Sequence, residues 1–434
     1  MKVAFSTLGC RVNQYESEAM AEKFIREGYE IVDFSEVADV YVFNTFTVTN
    51  MGDKKSSQII SKARRLNEKA IIAVVGCYSQ LAPDKVSAIE GVDVVLGTRN
   101  KGDVVYYVNK AIDEGKIQVH VDGVLKNKVF EDLNIEEYQD KTRAFLKIQD
   151  GCNRFCTYCA IPYSRGAVCS KKPDKVLSEV KRLAQNGFKE IILSGIHIAS
   201  YGLDLDENID LINILEEVEK IDGIERVRIG SIEPAFFTDE VVEKIKNMNK
   251  LCPQFHLSLQ SGCDSVLKRM NRRYNTEEYK HIVNVLRENL EDVSITTDVI
   301  VGFPGETEKE FQETYNFLKD LKLTKTHVFK YSKRTGTRAA AMKDQVDGKI
   351  KEERSKALIE LNNINEKSYH EKFIGREMNV LLEQEVKGKD GIFEGYTKNY
   401  IKVEVEGASK DKIGNFVNCK LEKAYSDKIT GKLI

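Results

Sequence analysis

Cys152, Cys156 and Cys159 stand in a C-x3-C-x2-C arrangement, within Gln149-Asp150-Gly151-Cys152-Asn153-Arg154-Phe155-Cys156-Thr157-Tyr158-Cys159. Thiolates are the protein ligands of iron–sulfur clusters. Three on one short loop can each take one iron of a four-iron cubane, which leaves the fourth iron open to a small molecule. The competing reading is structural zinc, which takes four closed ligands, usually as paired C-x2-C units. No second pair is present, and Cys169 is the nearby thiol that would have to complete such a set. At that remove it reads as an ordinary thiol.

These cysteines need elements to position them. Residues 1–112 alternate strand-length apolar runs (2–7, 40–45 and 70–77) with helical patterns at 15–27 and 56–67. That alternation predicts crossover connections and a parallel sheet, a flavodoxin-like α/β domain. Cys10 and Cys77 close two of the runs, and Asn44-Thr45-Phe46 closes the other. Carboxyl ends of strands in an open parallel sheet converge on one crevice, so positions 10, 46 and 77 are predicted to face one another. Cys10 and Cys77 also fit a plainer role as small buried hydrophobes. Residues 113–140, acidic at Glu131, Asp132, Glu136 and Glu137, read as a linker.

Over residues 141–370 the alternation restarts. Strand candidates at 144–148, 190–194, 226–232, 254–259, 294–301 and 327–331 are separated by helical segments at 173–186, 211–221, 238–247, 276–289 and 309–321. This predicts a complete or partial TIM-like (β/α) barrel, with functional residues at the carboxyl ends of its strands. The cysteine loop follows the first of them. A charged helix at 348–372 comes next. Residues 371–434 then break into short alternating runs (378–385, 392–396, 400–405 and 415–422) with Gly-rich turns, a small antiparallel β-barrel.

Composition narrows the function class. With 66 Lys and Arg against 68 Asp and Glu, net charge supplies no general pull toward nucleic acid. Nine cysteines are too few for a disulfide scaffold in a chain of 434 residues, and clustered thiols in a reducing compartment suggest metal or redox chemistry. The apolar runs are strand-sized, short of the roughly 18 residues that suggest a membrane span. Leu8-Gly9-Cys10 superficially resembles a lipoprotein cleavage site, but only residues 3–5 precede it as an apolar run. The expectation is a cytoplasmic protein with no membrane or DNA partner.

With Tyr158 in its aromatic slot, the C-x3-C-x-aromatic-C loop resembles the radical S-adenosylmethionine (SAM) superfamily. The resemblance implies a catalytic 4Fe–4S cluster on Cys152, Cys156 and Cys159, whose open iron binds the amino and carboxylate groups of SAM. Reductive cleavage then yields a 5′-deoxyadenosyl radical. It also implies SAM contacts from Ser194 and Gly195 in Leu193-Ser194-Gly195-Ile196-His197, which face the amino group, and from Ser231 and Glu233 in Ser231-Ile232-Glu233-Pro234, which face the ribose. Ile300 and Gly302, in Val299-Ile300-Val301-Gly302-Phe303-Pro304-Gly305-Glu306-Thr307, match the adenine-contacting strand and turn. From the residues alone, Thr307 with Glu310 is also a helix-capping box, and Pro304-Gly305 a simple βα turn.

The whole chain resembles the methylthiotransferase family, with an N-terminal domain, a radical SAM core and a C-terminal TRAM domain. Members bind a second 4Fe–4S cluster on three cysteines of the first domain, associated with sulfur donation. Gly9-Cys10-Arg11-Val12-Asn13-Gln14 and Gly76-Cys77-Tyr78-Ser79-Gln80 match two of those motifs. Asn44-Thr45-Phe46-Thr47-Val48-Thr49 matches the third except that Phe46 stands where a ligand cysteine is expected. Phe cannot coordinate iron, so the expectation is retained SAM cleavage with impaired methylthiolation. Cys252, Cys263 and Cys419 lie too far along the chain to be counted on as substitutes.

The three N-terminal motifs are similar to the MtaB type, which implies methylthiolation of N6-threonylcarbamoyladenosine beside the anticodon of tRNA, with a flavodoxin- or ferredoxin-like electron donor. The alternatives are a branch acting on a ribosomal protein aspartate and a non-catalytic iron–sulfur RNA-binding protein. Candidate phosphate contacts are Lys54, Lys55, Lys62, Arg64 and Arg65, and in the core Lys268, Arg269, Arg272 and Arg273. Phe393, Tyr396 and Tyr400 of the tail are candidates to stack on RNA. That tail has 12 Lys and Arg against 11 Asp and Glu, so its charge alone does not argue for RNA. His197, His256 and His327 fall near strand ends, where packed or turn histidines are the commoner outcome.

Overall fold

The computed structural model describes residues 1–46, 50–125, 129–133, 135 and 142–434, without the side chains of residues 50–57. Its first body is a six-stranded parallel sheet of β1 (Lys2–Thr7), β2 (Glu30–Val32), β3 (Val40–Thr45), β4 (Ile71–Gly76), β5 (Val94–Leu96) and β6 (Gln118–His120). The strand order is β2-β1-β3-β4-β5-β6, all parallel. Every residue of β3 and all but the first of β4 are buried, as expected of central strands covered on both faces. The helix Arg11–Arg26 buries Val12, Tyr15, Ala19, Met20 and Phe24, one apolar stripe at helical spacing.

Strand β6 lies inside the segment 113–140 expected to be a linker, and the helix Val104–Glu114 crosses that segment's start. A three-residue strand with one apolar residue carries no periodicity to read. Glu136 and Glu137 lie outside the described residues.

The central body carries β7 (Arg143–Asp150), β8 (Cys169–Ser170), β9 (Glu190–Gly195), β10 (Arg226–Ile229), β11 (Gln254–His256), β12 (Ser294–Val301) and β13 (Lys325–Lys330). Parallel pairing joins β7, β9 and β10, and separately β11, β12 and β13. The bridges Val227↔Leu251 and Ile232↔Leu257 link the two arcs. The result is a partial barrel of six parallel strands. Strands β10 and β11 end earlier than expected, so Ser231, Glu233 and Ser258 sit on the loops above them. The helix Gly348–Glu371 packs along β13, where Asn362 accepts from the Thr326 amide at 2.6 Å and Glu366 pairs with Lys325 at 2.8 Å.

The last body is a closed barrel of β14 (Glu377–Glu385), β15 (Ile392–Thr397), β16 (Lys402–Glu406), β17 (Phe416–Ala424) and β18 (Ile429–Leu433), antiparallel except between β16 and β18. It docks on the lower end of the partial barrel. Arg226 donates to the carbonyls of Asn379 and Tyr396, and Arg228 to those of Thr397 and Lys398. Both arginines share the buried Glu190 carboxylate. Among the described residues no helix is long and apolar enough to cross a membrane.

Candidate active site

The cysteine loop leaves β7 through Gly151, whose φ of +73° and whose missing Cβ are both required: a Cβ there would overlap the Ala167 carbonyl. The loop is then pinned at several points. The Cys152 amide donates to Gly166 O at 3.0 Å, the Thr157 amide to Met270 O at 3.0 Å, and Asn271 Nδ2 to Phe155 O at 3.1 Å. Burial, reinforced by the neighbouring Cys156, pushes the Cys152 thiol up to about 11 and the Cys159 thiol up to about 12. The three thiols are therefore electrostatic neighbours. Arg272 Nη1 lies 3.3 Å from Cys156 Sγ and supplies positive charge beside them.

This donor set fits a cluster held by three thiolates. Cys169 is committed elsewhere, 2.8 Å from Arg99 Nη1, so it does not complete a closed zinc set. Among the described residues no three His, Cys, Asp or Glu side chains converge closely enough to hold one ion.

Around the loop stand the residues expected to hold SAM. Ser194 and Gly195 end β9, and Gln149 Oε1 accepts from the His197 amide just beyond at 2.7 Å. Glu233 is nearly buried and faces three partners: Arg154, His197 Nε2 at 3.1 Å and Arg272 at 3.7 Å. Burial works to raise its pKa, but the His197 hydrogen bond and the charges of Arg272, His197 and Arg154 outweigh it and hold it below the usual value. Tyr158 and Ile300 pack against the same cluster, around Phe303 and Tyr331, so the structure brings them together beside Gly302. Arg154, which sequence reasoning missed, carries no motif signal apart from lying inside the cysteine loop.

At the first sheet, Cys10 follows β1, Phe46 follows β3 and Cys77 follows β4, as the convergence argument requires. The order β2-β1-β3 places Cys10 and Phe46 at the topological switch point. Cys10 Sγ is 3.2 Å from Asn13 Oδ1; burial raises its pKa, Arg165 lowers it, and Cys77 is close enough to contribute. Gly9, at φ +132°, leaves the space that Phe46 fills: a Cβ there would come within 2.8 Å of Phe46 Cβ. Two thiols and a phenyl ring do not supply the three-thiolate set of a second cluster. Residues 47–49 of that motif lie outside the described residues.

A buried charge network ties the two cysteine regions together. Glu16 pairs with Lys147 and Arg165, each at 2.9 Å, and with Lys101 at 2.6 Å without hydrogen-bond alignment. Asp150, two residues before Cys152, pairs with Lys147 at 2.7 Å and Arg165 at 3.2 Å. Arg165 Nη2 also donates to Asn13 Oδ1, the group beside Cys10. All five charged side chains are fully buried.

The expected RNA contacts divide. Lys268 and Arg273 are exposed, whereas Arg269 is held by Glu310 at 2.8 Å and Arg272 is turned in toward Cys156. Arg64 clamps the Ala70 carbonyl and Asp93 instead of facing solvent, and the side chains of Lys54 and Lys55 lie outside the description. Phe393 is in the core of the small barrel, not on its surface. Tyr396 and Tyr400 stack on each other at 4.5 Å and take Arg143 and Arg228 on their faces, so they are engaged within the protein. The apolar demand of a five-stranded barrel core and the long reach of the core arginines decide these placements.

A cavity of about 1360 Å³ runs through the partial barrel. Cys10, Phe46, Ser194, Gly195 and Ser231 line it, together with His256 and His327, and Tyr400 and Lys402 of the last barrel also contribute to its wall.

Comparison with known proteins agrees with this architecture. Residues 146–318 match the radical SAM superfamily, residues 2–97 the uncharacterized protein family UPF0004, and residues 371–434 the TRAM domain. The threonylcarbamoyladenosine tRNA methylthiotransferase MtaB of Bacillus subtilis is 45% identical over 97% of this chain and 94% of its own length. MtaB of Aquifex aeolicus is 42% identical over 94% and 97%. The chain belongs to the radical SAM tRNA methylthiotransferase family. A tRNA-2-methylthio-N6-dimethylallyladenosine synthase of Clostridium botulinum is 37% identical over 99% of this chain and 96% of its own. Among solved structures, the radical SAM methyltransferase TsrM of Kitasatospora setae, with cobalamin and a 4Fe–4S cluster bound, shares the fold with a TM-score of 0.57 at 16% identity. It covers 78% of this chain and 77% of its own. The radical SAM fold and the closed C-terminal barrel are those expected from the sequence.

Proposed function

We propose that this chain is an MtaB-type enzyme that adds a methylthio group to carbon 2 of N6-threonylcarbamoyladenosine next to the anticodon of tRNA. The observation that carries the reading is full-length similarity to MtaB proteins, joined to three neighbouring thiols on a pinned loop at the carboxyl end of a barrel strand. When bound, the 4Fe–4S cluster and SAM supply the one-electron chemistry that removes hydrogen from an unreactive carbon.

The chain's own residues divide the remaining work. Cys152, Cys156 and Cys159 hold the cluster, and Arg272 offsets negative charge at Cys156. Ser194 and Gly195 face the amino group of SAM and Tyr158, Ile300 and Gly302 its adenine. Ser231 and Glu233 face the ribose, with Arg154 and His197 orienting the Glu233 carboxylate. The electron donor is a flavodoxin or ferredoxin-like protein, the compartment is the cytoplasm, and Lys268 and Arg273 are the exposed core cations offered to phosphate.

The test is mass spectrometry of tRNA nucleosides from a deletion strain. Loss of the 2-methylthio form with N6-threonylcarbamoyladenosine retained supports the reading. An unchanged tRNA profile with loss of methylthio-aspartate from a ribosomal protein assigns the protein-modifying branch instead. A chain that binds tRNA but releases no 5′-deoxyadenosine from SAM and a reductant is a binding module.

A further inference from the structure

Barrels of parallel strands ordinarily fill their interior with layers of branched aliphatic side chains. Here the wall of β7, β9 and β10 turns Phe145 and Ile192 to the cavity along with Ser194 and Arg228, the last of these paired with Glu190, whereas the opposite wall is polar almost throughout. Inward positions of β11, β12 and β13 carry His256, Thr296, Asp298, Lys325 and His327, all on the cavity. Apart from Thr296 these side chains are only partly buried, and the polar atoms they turn to the cavity are met by water or by a polar guest.

The groups are ordered. His256 Nδ1 lies 2.9 Å from Thr296 Oγ1, and its Nε2 is 3.2 Å from Asp298 Oδ2, at ion-pair distance but not aligned for a hydrogen bond. The His256 and His327 rings are 5.8 Å apart. Strand register puts Asp298 beside His327, and Ile300 beside Phe329 two residues further along. The histidine layer therefore sits about 6–7 Å below the proposed adenine contact of SAM. His327 is open to the cavity.

We infer that His256 and His327 form a subsite for a polar, hydroxy-acid substituent on the target base. This rests on the proposed function, in which that substituent is the threonylcarbamoyl group, with a urea, a hydroxyl and a carboxylate. His327 donates to the carboxylate with Lys325 alongside, although Lys325 keeps Glu366 at 2.8 Å. His256, oriented by Thr296 and Asp298, faces the hydroxyl and urea. An apolar dimethylallyl substituent would leave this wall unsatisfied, so the same residues select against it.

The experiment measures binding of the full-length protein to anticodon stem-loop RNAs that carry N6-threonylcarbamoyladenosine, N6-dimethylallyladenosine or adenosine at the target position. Wild type is expected to prefer the threonylcarbamoyl RNA. His327→Phe and His256→Leu are each expected to reduce that preference about two- to tenfold, the range of one lost hydrogen bond, with affinity for the adenosine RNA unchanged. His327→Gln, which keeps a donor, should recover part of it. Melting curves confirm that the variants are folded, and if His256→Leu does not fold, the His327 pair decides. A wild-type preference that survives both substitutions overturns the subsite alone. A wild type that does not prefer the threonylcarbamoyl RNA overturns the substrate assignment and the subsite with it.

Discussion

Removing Glu16 should cost more stability than removing Arg165, although both sit in the same buried network. Lys101, Lys147 and Arg165 face Glu16 and Asp150, three positive charges against two negative, all without solvent exposure. Arg165→Met leaves two charges of each sign, so the remaining pairs stay balanced. Glu16→Gln leaves Lys101, Lys147, Arg165 and Arg99 facing only Asp150 and Glu131, whereas in Arg165→Met these additional charges, Arg99 and Glu131, offset each other. Losing one partner of a buried ion pair costs about 3–5 kcal/mol, because the other charge is stranded away from water. Arg165→Met belongs near the low end, about 3 kcal/mol, and Glu16→Gln near about 5 kcal/mol.

Urea denaturation of the full chain, followed by far-UV circular dichroism, reads the difference as the shift of the first transition. Acid provides a second readout. Burial works to raise the Glu16 pKa, but Arg165, Lys101 and Lys147 outweigh it and hold the carboxyl well below its usual value. Asp150 is lowered in the same way, against its burial, by Lys147, Arg165 and Arg99. A depressed folded-state pKa means that the stabilisation is fully present above the unfolded value of about 4 and is lost as pH falls through the lower folded value. Wild type should therefore lose stability more steeply than Glu16→Gln below about pH 4. Equal urea midpoints for the two variants, or a more stable Glu16→Gln, refutes the charge count.

Wild type reconstituted anaerobically should hold about four irons per chain and Phe46→Cys about eight, since the substitution completes a second three-thiolate set; iron and sulfide analysis decides, and eight in the wild type refutes the loss of the second cluster. Cys152→Ser should abolish 5′-deoxyadenosine release from SAM and dithionite, measured by liquid chromatography, while leaving the fold intact. Gly151→Ala forces a Cβ into the Ala167 carbonyl at a left-handed φ and should lower iron occupancy as well as melting temperature. Arg228→Ala removes the clasp on the Thr397 and Lys398 carbonyls and leaves Glu190 short of one cation; limited proteolysis should then release the C-terminal barrel sooner than in wild type.

Local order along the chain was enough to establish the three bodies, the barrel-type alternation and the cysteine loop at the end of the first barrel strand. Those features follow from periodicity, turn residues and thiol spacing, all of which act over a few residues. Convergence of Cys10, Phe46 and Cys77 was legible too, because parallel sheets align their carboxyl ends. The three-residue strands β2, β5 and β6 were not, since their pairing is conferred by neighbouring strands.

Tertiary structure alone decided which charges meet. Glu16 reaches Lys147 and Arg165 across 131 and 149 residues, and Asn13 reaches Arg165 across 152. It also turned Arg272 from a candidate phosphate contact into the cation beside Cys156, buried Phe393, and made His256 and His327 one layer of a polar wall. A side chain's role in such cases depends on which surface the fold brings opposite it, and the electrostatic and packing energies that choose that surface act between segments with no local signal in common.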